Sequence, residues 1–359
     1  MKKFAWFLTL LLALSVVLSA CGTPAATQAP APVATEAPAQ PTEAPAVTEA
    51  PAATQASAAE PFKVAVVMPS AKNDLAFSQS MYDALMRVQE EMGADQFQFV
   101  FSENMFVVDD AAAAIRDYAS QGYNLIIAHG SQYGSSLQEI APDFPKTSFA
   151  WGTTVDTFGQ PNIFAYEAAS QEGGFVNGAM AATLSKSNVI GVVGPIETGD
   201  AKLYVDGFKA GVLSVKPDAK VNVNYIGSFS DTALAAEAAN THISAGADVL
   251  TGTAQMVVGA IGKAKDSNVL WFGTQSNQTS LAPSIVVASQ VYHWEGILKE
   301  MIALIQSGTL GGKSFKADLA NGGEVIEFNP DSNVAADAQA LAETTIKGIT
   351  DGTITITLP

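Results

Sequence analysis

From residue 63 to residue 291 short apolar runs alternate with amphipathic stretches, and this alternation restricts the fold more than any other feature of the chain. Residues 63–68 (KVAVVM) form a nearly unbroken apolar run, as expected of a parallel strand covered on both faces. A turn over 69–74 follows, then a helix over 76–92 in which Phe77, Met81, Leu85 and Val88 recur at helical spacing. The pattern continues with a strand at 97–101, a helix at 109–121 and strands at 125–128, 148–151 and 163–166. A second series has helices near 172–184, 199–215, 230–245 and 256–266, with strands at 189–193, 221–226, 249–250 and 269–272. Two consecutive βαβ series of similar length predict an α/β protein of two doubly wound lobes, with ligand at the carboxyl ends of the strands. A strand-like run at 285–291, a helix over about 294–307, a strand at 325–328, a helix at 335–347 and a strand at 353–357 complete the chain.

The first 60 residues are of a different kind. Lys2 and Lys3 precede an apolar stretch, 4–17, too short to span a bilayer stably, which reads as a cleaved secretory signal. Leu18-Ser19-Ala20-Cys21 resembles a bacterial lipobox. That resemblance implies cleavage after Ala20 and two or three acyl chains at Cys21, enough for stable anchoring where one chain is marginal. The alternative is a soluble secreted protein in which Cys21 is incidental. Cys21 is the only cysteine of the chain, so no intramolecular disulfide and no cysteine metal site is possible. Residues 22–60 hold no aromatic residue, and Thr-Glu-Ala-Pro recurs at 35–38, 42–45 and 48–51, the composition of a tether. As a flexible coil it spans roughly 35 Å. The formal net charge of −17 argues against nucleic-acid binding and against adhesion to anionic lipid.

In the remaining part, 63–70 (KVAVVMPS), Asn73-Asp74-x-x-Phe77-Ser78, 117–127 (DYASQGYNLII), 173–182 (GGFVNGAMAA) and 206–211 (DGFKAG) follow one another in the order seen in the basic membrane protein family. The chain thus resembles the PnrA-like solute-binding lipoproteins of ABC transporters over essentially all of 61–359. The resemblance implies a type I periplasmic-binding-protein fold, two lobes joined by a hinge. It also implies a purine nucleoside or base as small-molecule ligand, bound by lobe closure in the cleft and delivered to an ABC permease from the extracytoplasmic face. A monomer is expected, with no cofactor. The implied organisation is a leader at 1–20, the lipidated cysteine and tether at 21–60, an N-terminal lobe of 61–166 with about 291–328, and a C-terminal lobe of 167–290. The lobe of 329–359 stays open.

A purine is a flat, weakly polar disc, so its site needs aromatic faces and a few directional polar groups. By the resemblance, Phe77 after the first strand and Phe229 in the loop 227–231 offer opposing aromatics to the base, although both fit core packing as well. Asn73, Asp74 and Ser78 lie in the first turn and helix start, where the family contacts ligand; Asn73 and Asp74 serve equally as helix caps. Ser131, Tyr133, Trp151 and Gly152 stand at strand carboxyl ends, where this architecture binds. Two departures matter. Nucleoside-binding members of the family carry an Asp after the strand corresponding to 269–272 and a Lys after that corresponding to 285–288, both suited to ribose. Here those loops read 273–276 (GTQS) and 289–295 (SQVYHWE), which places Gln275, Tyr292 and Trp294 near the site and favours a free base such as adenine. A two-lobed sensor that signals to a membrane partner is the alternative role. No hydrolase elbow, zincin pair or phosphate loop is present, His129, His242 and His293 are widely spaced, and Asp331-Ser332-Asn333 lacks the glycine of a calcium loop, so neither an enzyme nor a metal site is expected.

Overall fold

The computed structural model describes residues 60–332 and 336–358; the leader, Cys21 and most of the tether lie outside them. The first part of the chain runs β1 (Phe62–Val67), α1 (Phe77–Met92), β2 (Phe97–Ser102), α2 (Val108–Ser120), β3 (Leu125–Ala128), α3 (Gly134–Ile140), β4 (Ser148–Gly152) and β5 (Ile163–Ala168). Then come α4 (Gln171–Leu184), β6 (Val189–Gly194), α5 (Gly199–Val215), β7 (Lys220–Tyr225), α6 (Thr232–Ser244), β8 (Val249–Gly252), α7 (Val257–Asp266) and β9 (Leu270–Gly273). The last elements are β10 (Val286–Tyr292), α8 (Glu295–Gln306), β11 (Ser314–Ala317), β12 (Glu324–Phe328) and α9 (Ala336–Thr350).

These strands form two six-stranded sheets, ordered β2-β1-β3-β4-β5-β11 and β7-β6-β8-β9-β10-β12. All pairings are parallel except β10 with β12. Each sheet therefore reverses its winding once, between β1 and β3 in the first lobe and between β6 and β8 in the second. Parallel strands covered by helices on both faces must be apolar throughout, and Val64, Ala65, Val66 and Val67 of β1 are wholly buried, as are all four residues of β3. One core cluster packs α1 and α8 on the first sheet and another packs α2 and α3 on its other face. The two-lobe α/β architecture expected from the alternation is thus the one observed.

The chain crosses between lobes after β5, after β10, and between β11 and β12. The last crossing differs from the expected return of about 291–328 to the first lobe: α8 and β11 join it, but β12 pairs with β10 in the second sheet, Tyr292 opposite Glu324. The buried Glu324 carboxyl group ties it there, its Oε1 accepting hydrogen bonds from Gly173 N–H (2.6 Å) and Gln290 Nε2 (2.5 Å). Residues 353–357 form no strand. Ile354 N–H instead donates to Gly348 O (2.8 Å), folding the segment back on the end of α9.

The second lobe depends on a close helix pair. A methyl group added at Gly174 or Gly178 of α4 would lie 2.5 Å from Tyr204 O or 2.1 Å from Phe208 O of α5. The reverse holds for Gly207 and Gly211 of α5, which would meet Gln171 O at 2.3 Å and Phe175 O at 2.1 Å. The two helix backbones touch, and only hydrogen at these four Cα positions lets them. Gly178→Ala should lower stability by about 1–3 kcal/mol through overpacking, despite the better helix propensity of alanine. The midpoint of urea unfolding measures this, and an unchanged or raised midpoint would show that the contact tolerates a methyl group.

Candidate functional site

The carboxyl ends of both sheets face a common cavity. From the first lobe it is lined by Pro69 after β1, Phe77 at the start of α1, Phe106 after β2, Gly130 to Gln132 after β3, and Thr153 after β4. The second lobe contributes Thr198, Asp200 and Ala201 at the start of α5, Phe229 after β7, Ala254 and Gln255 after β8, and Gln275 after β9. Both winding reversals open into it, as expected of ligand crevices in open parallel sheets. Thr153, Ala254 and Gln275 hold left-handed backbone conformations, with φ of 66°, 77° and 69°. A non-glycine residue in that region costs about 1 kcal/mol or more, and such strain gathers at ligand sites.

Phe77 forms part of one wall. One face of its ring stacks on the His129 imidazole, with centroids 3.7 Å apart and planes 7° off parallel. His129 is fully buried, and burial pushes its pKa down to about 3, against a smaller opposite effect of its bond to Phe77 O; the ring is neutral. Since a carbonyl only accepts, Nε2–H donates to Phe77 O (3.0 Å) and Nδ1 accepts from the Tyr166 hydroxyl (2.7 Å). Behind this pair Trp294 is wholly buried, edge-on to Phe77, Tyr166 and Tyr292, and its Nε1–H donates to Ser80 Oγ (2.9 Å). The aromatic wall is therefore rigid from its buried side.

Of the twelve ligand-binding residues expected from the sequence, Phe77, Ser131, Phe229 and Gln275 line the cavity. The other eight are not among its lining residues. Asp74 caps α1, its carboxylate accepting from the N–H groups of Ala76 (2.9 Å), Ser78 (3.2 Å) and Gln79 (3.1 Å). Asn73 is exposed, and Ser78 Oγ accepts from Ser70 N–H (3.2 Å). Tyr133 is buried and donates to Met105 O (2.7 Å), which steadies the loop that carries Phe106. Trp151 stacks on Phe158 and donates to Gly130 O (3.2 Å). Gly152 leaves room for Tyr166, whose hydroxyl would lie 2.7 Å from an added methyl group. Tyr292 is buried beneath the cavity, its hydroxyl 2.7 Å from Ser170 Oγ and 3.3 Å from Asp200 Oδ2.

Asp200, Gln255, Phe106, Gln132, Thr153 and Thr198 were not among those expectations. Gln255 and Asp200 stand at the carboxyl ends of β8 and β6, and placing the second lobe's winding reversal would have pointed to both. The side-chain oxygens of Gln255 and Gln275 are buried with no hydrogen-bond partner in the protein. Buried polar atoms are nearly always paired, so two orphaned side-chain oxygens on residues lining one cavity are acceptors free for a donor that enters it. No Lys, Arg or His is among the lining residues, and Asp200 is the single carboxylate. The site suits a flat, uncharged molecule with polar edges.

Residues 62–356 match the model of the family described as ABC transporter substrate-binding protein PnrA-like. A purine-binding protein of Brucella abortus (strain 2308) is 27% identical over 293 residues, covering 82% of both chains. The ABC transporter nucleoside-binding protein BmpA of Lactococcus lactis subsp. cremoris (strain MG1363) is 27% identical over 317 residues, 82% of this chain and 88% of its own. A solute-binding protein of an ABC transporter system from Conexibacter woesei superposes with a TM-score of 0.68 at 21% identity, covering 83% of this chain and 99% of its own, a likeness of fold.

Because Asp74 bonds three backbone N–H groups, Asp74→Ala should cost about 1–2 kcal/mol of stability, as loss of a helix cap does. Ligand affinity measured on the folded variant should stay within about twofold, since a difference of that size is well under the 1.4 kcal/mol of a tenfold change. A variant of unchanged stability that has lost its ligand would instead make Asp74 a contact residue.

Proposed function

The chain belongs to the PnrA-like family of ABC transporter substrate-binding proteins, and we propose that it captures a purine between its lobes and hands it to a membrane permease. The observation that carries this reading is the cavity itself: Phe77 and Phe229 from opposite lobes, with two glutamines in the same lining whose buried side-chain oxygens have no partner. Aromatic rings hold the faces of a base, and a glutamine amide can pair with an adenine edge through one donor and one acceptor. The free base is preferred to the nucleoside. After β9 stands Gln275, and at the end of β10 the wholly buried Tyr292, where nucleoside-binding members of the family are expected to carry ribose-holding Asp and Lys.

Ligand released by denaturing the purified protein should be a purine by mass. The melting temperature should rise with adenine, since a ligand that binds only the folded state adds about 2.7 kcal/mol at a hundred times its Kd. Phe229→Ala should weaken adenine binding by about tenfold or more, because base–aromatic stacking is worth about 1–3 kcal/mol. No shift with any purine base or nucleoside, beside a clear shift with a sugar or peptide, defeats the purine reading.

Cys21 is proposed as the lipid anchor that holds the protein on the extracytoplasmic face. It precedes the described residues, among which no helix is long and apolar enough to cross a membrane. Cys21→Ala should move the protein from the membrane fraction to the soluble fraction and leave purine affinity unchanged. Quantitative pelleting of the variant with membranes would count against lipidation.

A further inference from the structure

Asp200 is the second residue of α5 and only 6% exposed, yet it lines the cavity. Among the described residues it forms no ion pair. Its one side-chain partner is Tyr292, and because a phenol has a single hydrogen, that hydrogen goes to Asp200 Oδ2 while Ser170 Oγ–H donates to the phenol oxygen. A carboxylate accepts about four hydrogen bonds, and besides this phenol only the backbone N–H groups at the start of α5, those of Ala201 and of Asp200 itself, act on it, so acceptor capacity remains toward the cavity. We propose that Asp200 is the specificity-determining residue of the cavity, accepting a hydrogen bond from an N–H group of a purine base and turning away phosphate-bearing relatives.

This inference rests on the purine reading above and extends it. Gln255 and Gln275, whose side-chain oxygens are orphaned, share the cavity with Asp200, so its polar edge combines a pure acceptor with two amides, a group type that both donates and accepts. A purine base presents that complement, with N–H donors and bare ring nitrogens alternating around its rim. Carboxylates read an exocyclic amine of cytosine in the same way when proteins recognise DNA. A phosphate would meet a carboxylate and no lining cation, and like charges at close range repel strongly in a buried site.

The charge state of Asp200 supplies a readout that packing alone would not. The groups acting on it are Tyr292 from β10, which donates to it, the backbone N–H groups of Ala201 and of Asp200 itself, and Glu167 from β5, of like charge; the wholly buried Tyr166 of β5 also feels its charge. Burial, with Glu167 in the same sense and the bonds from Tyr292 and the backbone N–H groups opposing, pushes its pKa up to about 6. A ligand that donates to the carboxylate favours the ionised form, so affinity should rise as pH increases through about 6 and level off above it.

Titration calorimetry on the wild-type protein, Asp200→Asn and Tyr292→Phe, with adenine, adenosine and adenosine monophosphate, tests this. Near neutral pH Asp200→Asn should bind adenine at least about tenfold more weakly, equivalent to 1.4 kcal/mol. Tyr292→Phe should lose less, the carboxylate being kept but no longer held by the phenol. Wild-type affinity for adenine should fall between about pH 7 and pH 5, and Asp200→Asn should show no such fall. Adenosine monophosphate should bind more weakly than adenosine to the wild type, and that gap should narrow in Asp200→Asn. With 9-methyladenine and N6,N6-dimethyladenine, the analogue that binds alike to wild type and variant identifies the N–H that Asp200 receives. Melting temperatures of the free variants report folding; if Asp200→Asn fails to fold, the wild-type pH profile and Tyr292→Phe decide. Adenine binding to Asp200→Asn within about twofold of wild type, or a loss confined to adenosine, overturns the proposal while leaving the purine reading intact. Absence of any purine binding by the wild type removes that reading first, and this inference with it.

Discussion

Contact between the backbones of α4 and α5 is the constraint on which the second lobe and its half of the cavity depend. α4 carries the chain from the last parallel pairing of the first lobe into the second, and α5 follows the first strand of the second sheet. Gly174, Gly178, Gly207 and Gly211 bring the helices to a distance at which a single methyl group meets a carbonyl oxygen. The start of α5 is where Thr198, Asp200 and Ala201 enter the cavity, and the start of α4 is where Ser170 and Gly173 receive Tyr292, Gln290 and Glu324. A shift between these helices is therefore also a shift of the acidic wall against its tyrosine support.

The same glycines explain part of what was legible in the sequence. The stretches 173–182 and 206–211 were two of the motifs that carried the family resemblance, and in the structure they are mainly packing surfaces. They identify the fold more directly than the ligand. The alternation of apolar runs was legible because parallel strands buried on both faces leave little choice of residue, and both sheets follow it. Less legible were α3, a seven-residue helix that opens Gly-Ser-Ser, and β11, a four-residue edge strand in which Ser314 and Lys316 face solvent. Short elements at an edge bury too little apolar surface to impose a period.

Site residues were harder to read for a different reason. An aromatic residue at a strand end can face the cavity or the layer behind it, and sequence does not distinguish the two. Phe77 and Phe229 face the cavity, whereas Trp294 and Tyr292 face inward and Trp151 leans on Phe158. Asp200 was concealed by position. An acidic residue in the first turn of a helix is common, since it meets the positive end of the helix dipole. Only the burial of that turn against Tyr292 shows that the carboxylate has left solvent.

The lobes are also tied to each other beneath the cavity. Ser276 Oγ–H donates to Ala76 O (2.7 Å) and Gln278 Nε2 donates to Leu75 O (3.2 Å), joining the loop after β9 to the turn before α1. Leu75 itself has φ of 53°, so this turn is bent into its place at a cost in backbone strain. These bonds involve no lining group except through the neighbouring Phe77 and Gln275, and they hold those two residues of opposite lobes in fixed relation. The remaining walls, Ser131 and Thr153 on one side and Asp200, Gln255 and Phe229 on the other, have no such tie in common. A ligand that touches both sets favours the arrangement in which they face each other, by as much free energy as it gains from contacts available only there. In the proposed function, recognition of a base and approach of the lobes are one equilibrium, set by the fixed pair Phe77 and Gln275 and completed by the groups of the two remaining walls.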